Sequence, residues 1–326
     1  MKITMAHGSG GRATSELIRD IFEKHFSNEV LSAMEDAAVV PGADRIAMTT
    51  DSFVVDPLFF PGGDIGRLSV CGTVNDLAMS GARPRYLTCG FILEEGLDIG
   101  LLDSIASSMR KAADEAGVLI VAGDTKTVGG SGGVYINTSG VGFVPEGRRV
   151  GPRQCKEGDV LLVSGTMGDH HAAILSARMS IQNTIESDCA PLCGMTEALL
   201  DAGIEIKAMR DITRGGLATI LNEFADSSGC GVEIVEAQVP VSGQVAAFCG
   251  ILGLDPLYMG NEGKMALAVA EKDADRALQI MRSHAYGRDA AIIGRMTRGN
   301  SVVLHTKLGG KRHVDVLYGE GLPRIC

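Results

Sequence analysis

Five aspartates stand where apolar runs end: Asp36 in MEDAAVV, Asp51 in IAMTTDSF, Asp76 in VNDLAMSG, Asp124 in VLIVAGDTK and Asp211 in IKAMRDITRGG. A sheet of an α/β or α+β protein gathers its ligand groups at strand ends, and a hard divalent cation wants several carboxylate oxygens together with phosphate. Several of these residues converging would make a magnesium-phosphate site. Plainer uses exist for some of them, since Asp211 ahead of TRGG can cap a helix and Asp51 can serve a turn. Asp76 differs because it falls within an apolar helical face, where an unpaired carboxylate is costly to bury.

Further residues carry reactive or anion-binding chemistry. The loop HGSGGR at 7–12 offers the backbone N–H groups of Gly10 and Gly11 to a phosphate. No GxxxxGK[ST] run occurs, so a Walker-type site is absent. Lys126 follows Asp124 by two residues and can set a cation beside phosphate or a developing anion. Glu262 lies between glycines in MGNEGKM, which permits close approach of a substrate or a chain terminus. The sequence closes YGEGLPRIC on the thiol of Cys326. His170 and His171, followed by Cys189 and Cys193, make a poor zinc set, because adjacent histidines point to different sides of a helix.

The elements that must position these groups follow from periodicity. Residues 46–50 and 86–93 read as strands, with a helical pattern over 64–79 between them. A helix over 98–116 and strands at 118–123 and 134–144 complete a first α+β unit with helices on one sheet face. The turn-rich VPEGRRVGPRQCKEGD marks a boundary near 145–158. A second unit starts at DVLLVSG, with helices near 169–178, 193–202, 213–226 and 273–284 and strands at 264–269, 291–296 and 301–305. The last ten residues lack periodicity and read as an arm.

Composition narrows the function class. A net charge of -10, 4% aromatic residues and no Trp argue against a nucleic-acid surface. No apolar run reaches the ~20 residues that span a bilayer, and the N-terminal segment turns polar too soon for a signal peptide. The eight cysteines include no CxxC pair and read as reduced, so a cytoplasmic location is expected.

Taken together, HGSGGR, EDAAVV, TTDSFVVDPLFFPGGDIG, VNDLAMSGARP, AGDTKTV, DITRGGLA, GNEGK and the closing PRIC resemble the hydrogenase maturation factor family HypE, within the aminoimidazole ribonucleotide synthetase and selenophosphate synthetase superfamily. The likeness runs from residue 7 to residue 326. It implies an α+β, two-domain PurM-like ATP-binding fold: 1–150 binding ATP and dimerising, 151–316 the second domain, and 317–326 a flexible arm. ATP and Mg2+ would bind between the domains of a homodimer. By motif match, Asp36, Asp51, Asp76 and Asp211 would be the metal and nucleotide carboxylates, with Asp124 beside them and Asp36, Asp76 and Asp211 on the metal; the glycine loop with Gly10 and Gly11 would face the nucleotide phosphates. Cys326 would carry a carbamoyl group delivered by the carbamoyltransferase HypF; apart from the resemblance, the chemistry of that reaction makes Lys126 the expected phosphate-side cation and Glu262 the expected general base. ATP would drive dehydration to a thiocyanate, and the cyano group would pass to iron on a HypC–HypD complex.

Small departures from the family pattern are GDHH, where a single His is usual, and Cys193. Two other readings compete. A selenophosphate synthetase carries a reactive Cys or selenocysteine with a nearby Lys in its N-terminal loop, and HGSGGRATSEL has neither. A non-catalytic, ATP-sensing thiol carrier would share the carboxylates and differ only in failing to dehydrate its cargo.

Overall fold

The computed structural model describes residues 1–317. After a 3-10 turn at Met5–Gly8, α1 (Arg12–Leu17) runs through a π-helical stretch (Ile18–Glu23) into α2 (Lys24–Phe26). Alternation along IAMTTDSF gives β1 (Ile46–Phe53), whose Ala47, Thr49, Asp51 and Phe53 are more enclosed than Ile46, Met48, Thr50 and Ser52. A hairpin of β2 (Phe59–Phe60) and β3 (Gly63–Asp64) leads into α3 (Ile65–Met79), whose first turn is capped by Asp64 through bonds from the N–H groups of Gly66 and Arg67. β4 (Arg83–Glu94), α4 (Ile99–Ala116) and β5 (Leu119–Val128) form a parallel crossover, and β6 (Val134–Phe143) pairs antiparallel to β4 and β1. The resulting sheet has the order β1-β6-β4-β5.

Both long helices of this half pack on one face of that sheet, as the order of apolar patterns predicts. Helix α4 buries Leu102, Ile105, Ala106, Met109, Ala112 and Ala113, the stripe expected of a surface helix. Helix α3 is enclosed on nearly every side, because it touches α4, β1 and β6 in its own half and the helix Cys193–Asp201 and strand Ile206–Asp211 in the other. Its apolar character all round therefore has a tertiary cause.

The second half contains β7 (Val160–Val163), α5 (Asp169–Arg178), α6 (Cys193–Asp201), β8 (Ile206–Asp211), α7 (Gly216–Ser228), β9 (Gly231–Val235), α8 (Gly243–Leu252), β10 (Met265–Val269), α9 (Ala274–Ser283), β11 (Ala291–Thr297), β12 (Val302–His305) and β13 (Lys311–His313). Its sheet runs β13-β12-β9-β11-β7-β10-β8. Strands β7 and β10 are buried at every residue, so they read as continuous apolar runs. The sequence reading lacked α1, α2, β2, β3, β8, β9, α8 and β13, most of them short or of irregular apolar periodicity.

The halves share a continuous junction. Asn75 on α3 donates to the Ala190 carbonyl at 3.0 Å and accepts the Leu192 N–H at 2.7 Å. Arg67 donates to the Cys189 carbonyl at 2.9 Å, and Ser187 N–H reaches Pro61 O at 2.8 Å. Arg83 and Arg148 meet Glu197 and Asp201 across the same seam. The segment 187–192 is thereby tied to α3 and to the β2–β3 hairpin. Among the described residues, no helix is long and apolar enough to cross a membrane.

Candidate active site

Asp51 and Asp76 meet where β1 passes α3. Gly72, one helical turn before Asp76, makes that approach possible: a Cβ there would lie 2.8 Å from the Phe53 ring and 3.9 Å from Asp51 Oδ2. Thr49 Oγ1 donates to Asp76 Oδ2 at 2.8 Å. Burial, with Asp51 nearby, pushes the Asp76 carboxyl upward despite that bond and the opposing charges of Arg210 and Arg214.

Asp211 ends β8, and its neighbour Ile212 bonds to Lys264 O and to Asn261 N–H, both at 2.8 Å. These bonds fix the GNEGK loop beside the strand end. Burial and the charge of Asp76 raise the Asp211 carboxyl to about 7, with Asp51 adding to the effect. Glu262 is buried and lies well above the usual carboxylate range, through desolvation first and then Asp211, Asp188 and Asp51. Asp51, Asp76, Asp211 and Glu262 thus form one electrostatic cluster across the domain junction. Excess negative charge in a poorly solvated place is a cation site waiting for countercharge.

Asp36 and Asp124 stand elsewhere. Together with Thr14, Phe22, Phe26 and Val39 they line a cavity of about 460 Å³ between the N-terminal helical segment and β5, which none of the four clustered carboxylates lines. Lys126 Nζ bonds both Asp124 oxygens at 2.6 Å on the exposed edge strand, holding that carboxyl below its ordinary range. The glycine loop is adjacent: Gly8 packs so closely on Thr127 that a Cβ would meet its N at 2.7 Å, and Gly10 N–H bonds Thr14 Oγ1 at 3.1 Å. Gly11 caps α1. So the expected carboxylates fall into two groups, Asp36 and Asp124 at the cavity beside β5 and the others at the junction. Among the described residues, no three His, Cys, Asp or Glu side chains are grouped as a ready metal cage. Cys326 lies outside the described residues.

The histidine pair takes a structural place. His170 Nδ1 lies 2.8 Å from Ser187 Oγ and its ring meets Phe60 edge-on, while His171 Nδ1 accepts the Gly260 N–H at 3.4 Å. Sequence reasoning missed Asp188, Asn75 and Arg210. Asp188 sits in an irregular stretch between helices where no periodicity signals burial, and Asn75 was hidden beside Asp76 in a motif already quoted.

Comparison with known proteins gives this geometry its context. The chain matches the family of AIR synthase related proteins in both parts, the N-terminal domain over residues 34–144 and the C-terminal domain over 156–307. It is 47% identical to carbamoyl dehydratase HypE of Rhodobacter capsulatus, over 100% of this chain and 98% of the relative. The chain belongs to the HypE family. A crystal structure of HypE in complex with ATP superposes with a TM-score of 0.95 at 47% identity, covering 99% of each chain. A HypE–HypF complex matches with a TM-score of 0.81 at 50% identity, over 92% of this chain and 99% of that one. The two-domain α+β PurM-like fold expected of a HypE family member is therefore the fold observed.

Proposed function

We propose that this protein is an ATP-dependent carbamoyl dehydratase that converts an S-carboxamide on its own Cys326 into an S-cyanide, for the iron ligands of nickel-iron hydrogenase. The observation that carries this reading is the cluster of Asp51, Asp76, Asp211 and Glu262 at the junction of a chain alike over its full length to carbamoyl dehydratases. An amide oxygen is a very poor leaving group until it is phosphorylated. ATP is the natural phosphoryl donor, as the ATP-bound HypE structure suggests. Phosphoryl transfer then asks the protein mainly for positioning and charge neutralisation.

The donor set suits Mg2+, which is usually held by one or two carboxylates plus substrate phosphates. Asp76 and Asp211 would hold it, with Asp51 beside them, and the ion would neutralise charge on the transferring phosphoryl group. Asp36 and Asp124 are assigned to the nucleotide from the cavity they line, and Gly10 and Gly11 from the phosphate-binding capacity of their loop. Lys126 is assigned a phosphate-facing role, which requires it to exchange Asp124 for phosphate. Glu262 is assigned as the base that removes a proton from the carboxamide nitrogen, and its raised proton affinity strengthens it for that task.

The division at 150/151 separates the nucleotide-binding half from the second domain, and 317–326 serve as the substrate arm. HypF is the proposed carbamoyl donor, in keeping with the HypE–HypF complex, and a HypC–HypD complex the cyano acceptor. The outer face of the first sheet exposes Ile46, Met48, Ile92, Leu119 and Tyr135, an apolar surface suited to a homodimer partner. The seven described cysteines are free thiols, in keeping with the cytoplasm. The test is mass spectrometry of the carbamoylated full-length protein after incubation with magnesium and ATP. The C-terminal peptide loses one water; no loss of water, or full activity of Cys326→Ala, overturns the proposal.

A further inference from the structure

Dehydration of a carboxamide removes two protons from one nitrogen, and the proposed mechanism uses only one carboxylate. In the first step the carboxamide oxygen bonds the γ-phosphorus, the bond to ADP breaks, and one N–H proton leaves to give a phosphorylated imidate. In the second step the C–O bond breaks, phosphate departs, and the other N–H proton leaves as the C≡N bond forms. One proton ends on phosphate and one in solvent, so each needs a path away from nitrogen. A single protonated carboxylate cannot accept the second before it releases the first.

Beside Glu262 stands a second enclosed carboxylate. Asp188 Oδ1 accepts the backbone N–H of Glu262 at 2.7 Å. Its other oxygen, Oδ2, is sealed from solvent and has no hydrogen-bond partner among the described residues. Such an orphan is costly in a native interior unless something else supplies a donor. Asp188 also lines a cavity of about 380 Å³ at the domain junction, together with Arg67, Lys264 and Tyr286. The backbone holds it firmly. A Cβ on Gly263 would lie 1.9 Å from Asp188 O, so the loop that carries Glu262 presses directly on this residue. On its other side Ser187 and Cys189 are bonded to the N-terminal half.

Resting on the dehydratase reading above, we infer that Asp188 is the second proton acceptor of the reaction, with Oδ2 receiving the N–H proton lost as phosphate departs. Glu262 serves the first step and Asp188 the second. The charged groups that bear on Asp188 fit this division. Burial pushes its carboxyl up to about 6, Lys264 opposes that rise, and Asp169 adds to it. A carboxylate so placed takes and releases protons near neutral pH.

Asp188→Asn tests this in full-length protein carrying the carbamoyl group on Cys326, because the amide oxygen still accepts the Glu262 N–H while proton acceptance is lost. ADP formation and water loss are followed together in a single turnover with magnesium and ATP. The expected result is uncoupling: ADP forms within about twofold of the wild-type rate, while water loss slows at least ~10²-fold, the usual scale of a lost general base. Glu262→Gln stops both. Asp188→Ser supplies the same measurement if the Asn variant does not fold. One water lost per ADP formed in the variants, or parallel loss of both signals, overturns the assignment. A wild-type protein that forms ADP without losing water, or a dehydrating Cys326→Ala, instead overturns the underlying reading.

Discussion

Replacing His170 by Gln removes one buried imidazole from the seam that steadies the 187–192 segment. Burial, with His171 next in order, holds the His170 pKa down from 6.5 to about 3. The folded protein therefore keeps the ring neutral, whereas the unfolded chain binds a proton once pH falls below 6.5. Stability from the neutral ring is complete above that value and is lost as pH falls towards 3. The slope is about 1.4 kcal/mol per pH unit, so the loss at about pH 5 is on the order of 2 kcal/mol. His171, also lowered by burial, to about 4, adds in the same direction. The raised carboxyls of Asp188 and Asp211 act oppositely, because they hold protons in the folded state that the unfolded chain releases. Comparison of wild type with His170→Gln cancels those shared contributions. Urea unfolding of both proteins should show the cost of the substitution at about pH 7.5 shrinking by about 2 kcal/mol at about pH 5. A difference that stays constant across that range refutes the buried, neutral assignment of His170.

Two further outcomes follow from the same physics. The Asp211 carboxyl is raised from 3.8 to about 7, so its ionisation opposes folding increasingly as pH rises between those values. Asp211→Asn should stabilise the nucleotide-free protein by on the order of 2–4 kcal/mol at about pH 8 in urea unfolding, while abolishing magnesium-dependent ATP binding; an unchanged midpoint would count against the cluster. Met48 is 70% exposed on the outer face of the first sheet. Met48→Glu should convert a dimer to monomer in sedimentation velocity without lowering the thermal midpoint of the monomer, and a species of unchanged mass excludes that face.

Much of the fold is legible in the sequence because burial repeats at the period of the element. The stripe Leu102, Ile105, Ala106, Met109 and Ala113 announces α4, and MALAV announces β10 by length and flanking glycine. Helix α8 gives no such sign: GQVAAFCGIL is apolar or small nearly throughout, although only Val245, Phe248 and Cys249 are buried. Asp76 was legible as a chemical residue, since a carboxylate on an apolar helix face needs a reason to be there.

The sequence alone determined which groups are present and which elements carry them, because periodicity and capping act over a few residues. Only tertiary structure decided which groups meet. Asp36 and Asp124 line one cavity between the N-terminal helical segment and β5, and Asp51, Asp76 and Asp211 join Glu262 at the junction. Proximity between β1, α3, β8 and the 260–264 loop depends on long-range packing, such as β1 crossing at Gly72 and Asn261 bonding Ile212. Asp188 is the clearest case: packing of the 260–264 loop and the domain junction buries it and pushes its carboxyl up, while the Glu262 backbone N–H, many residues away in the chain, comes to bond its Oδ1.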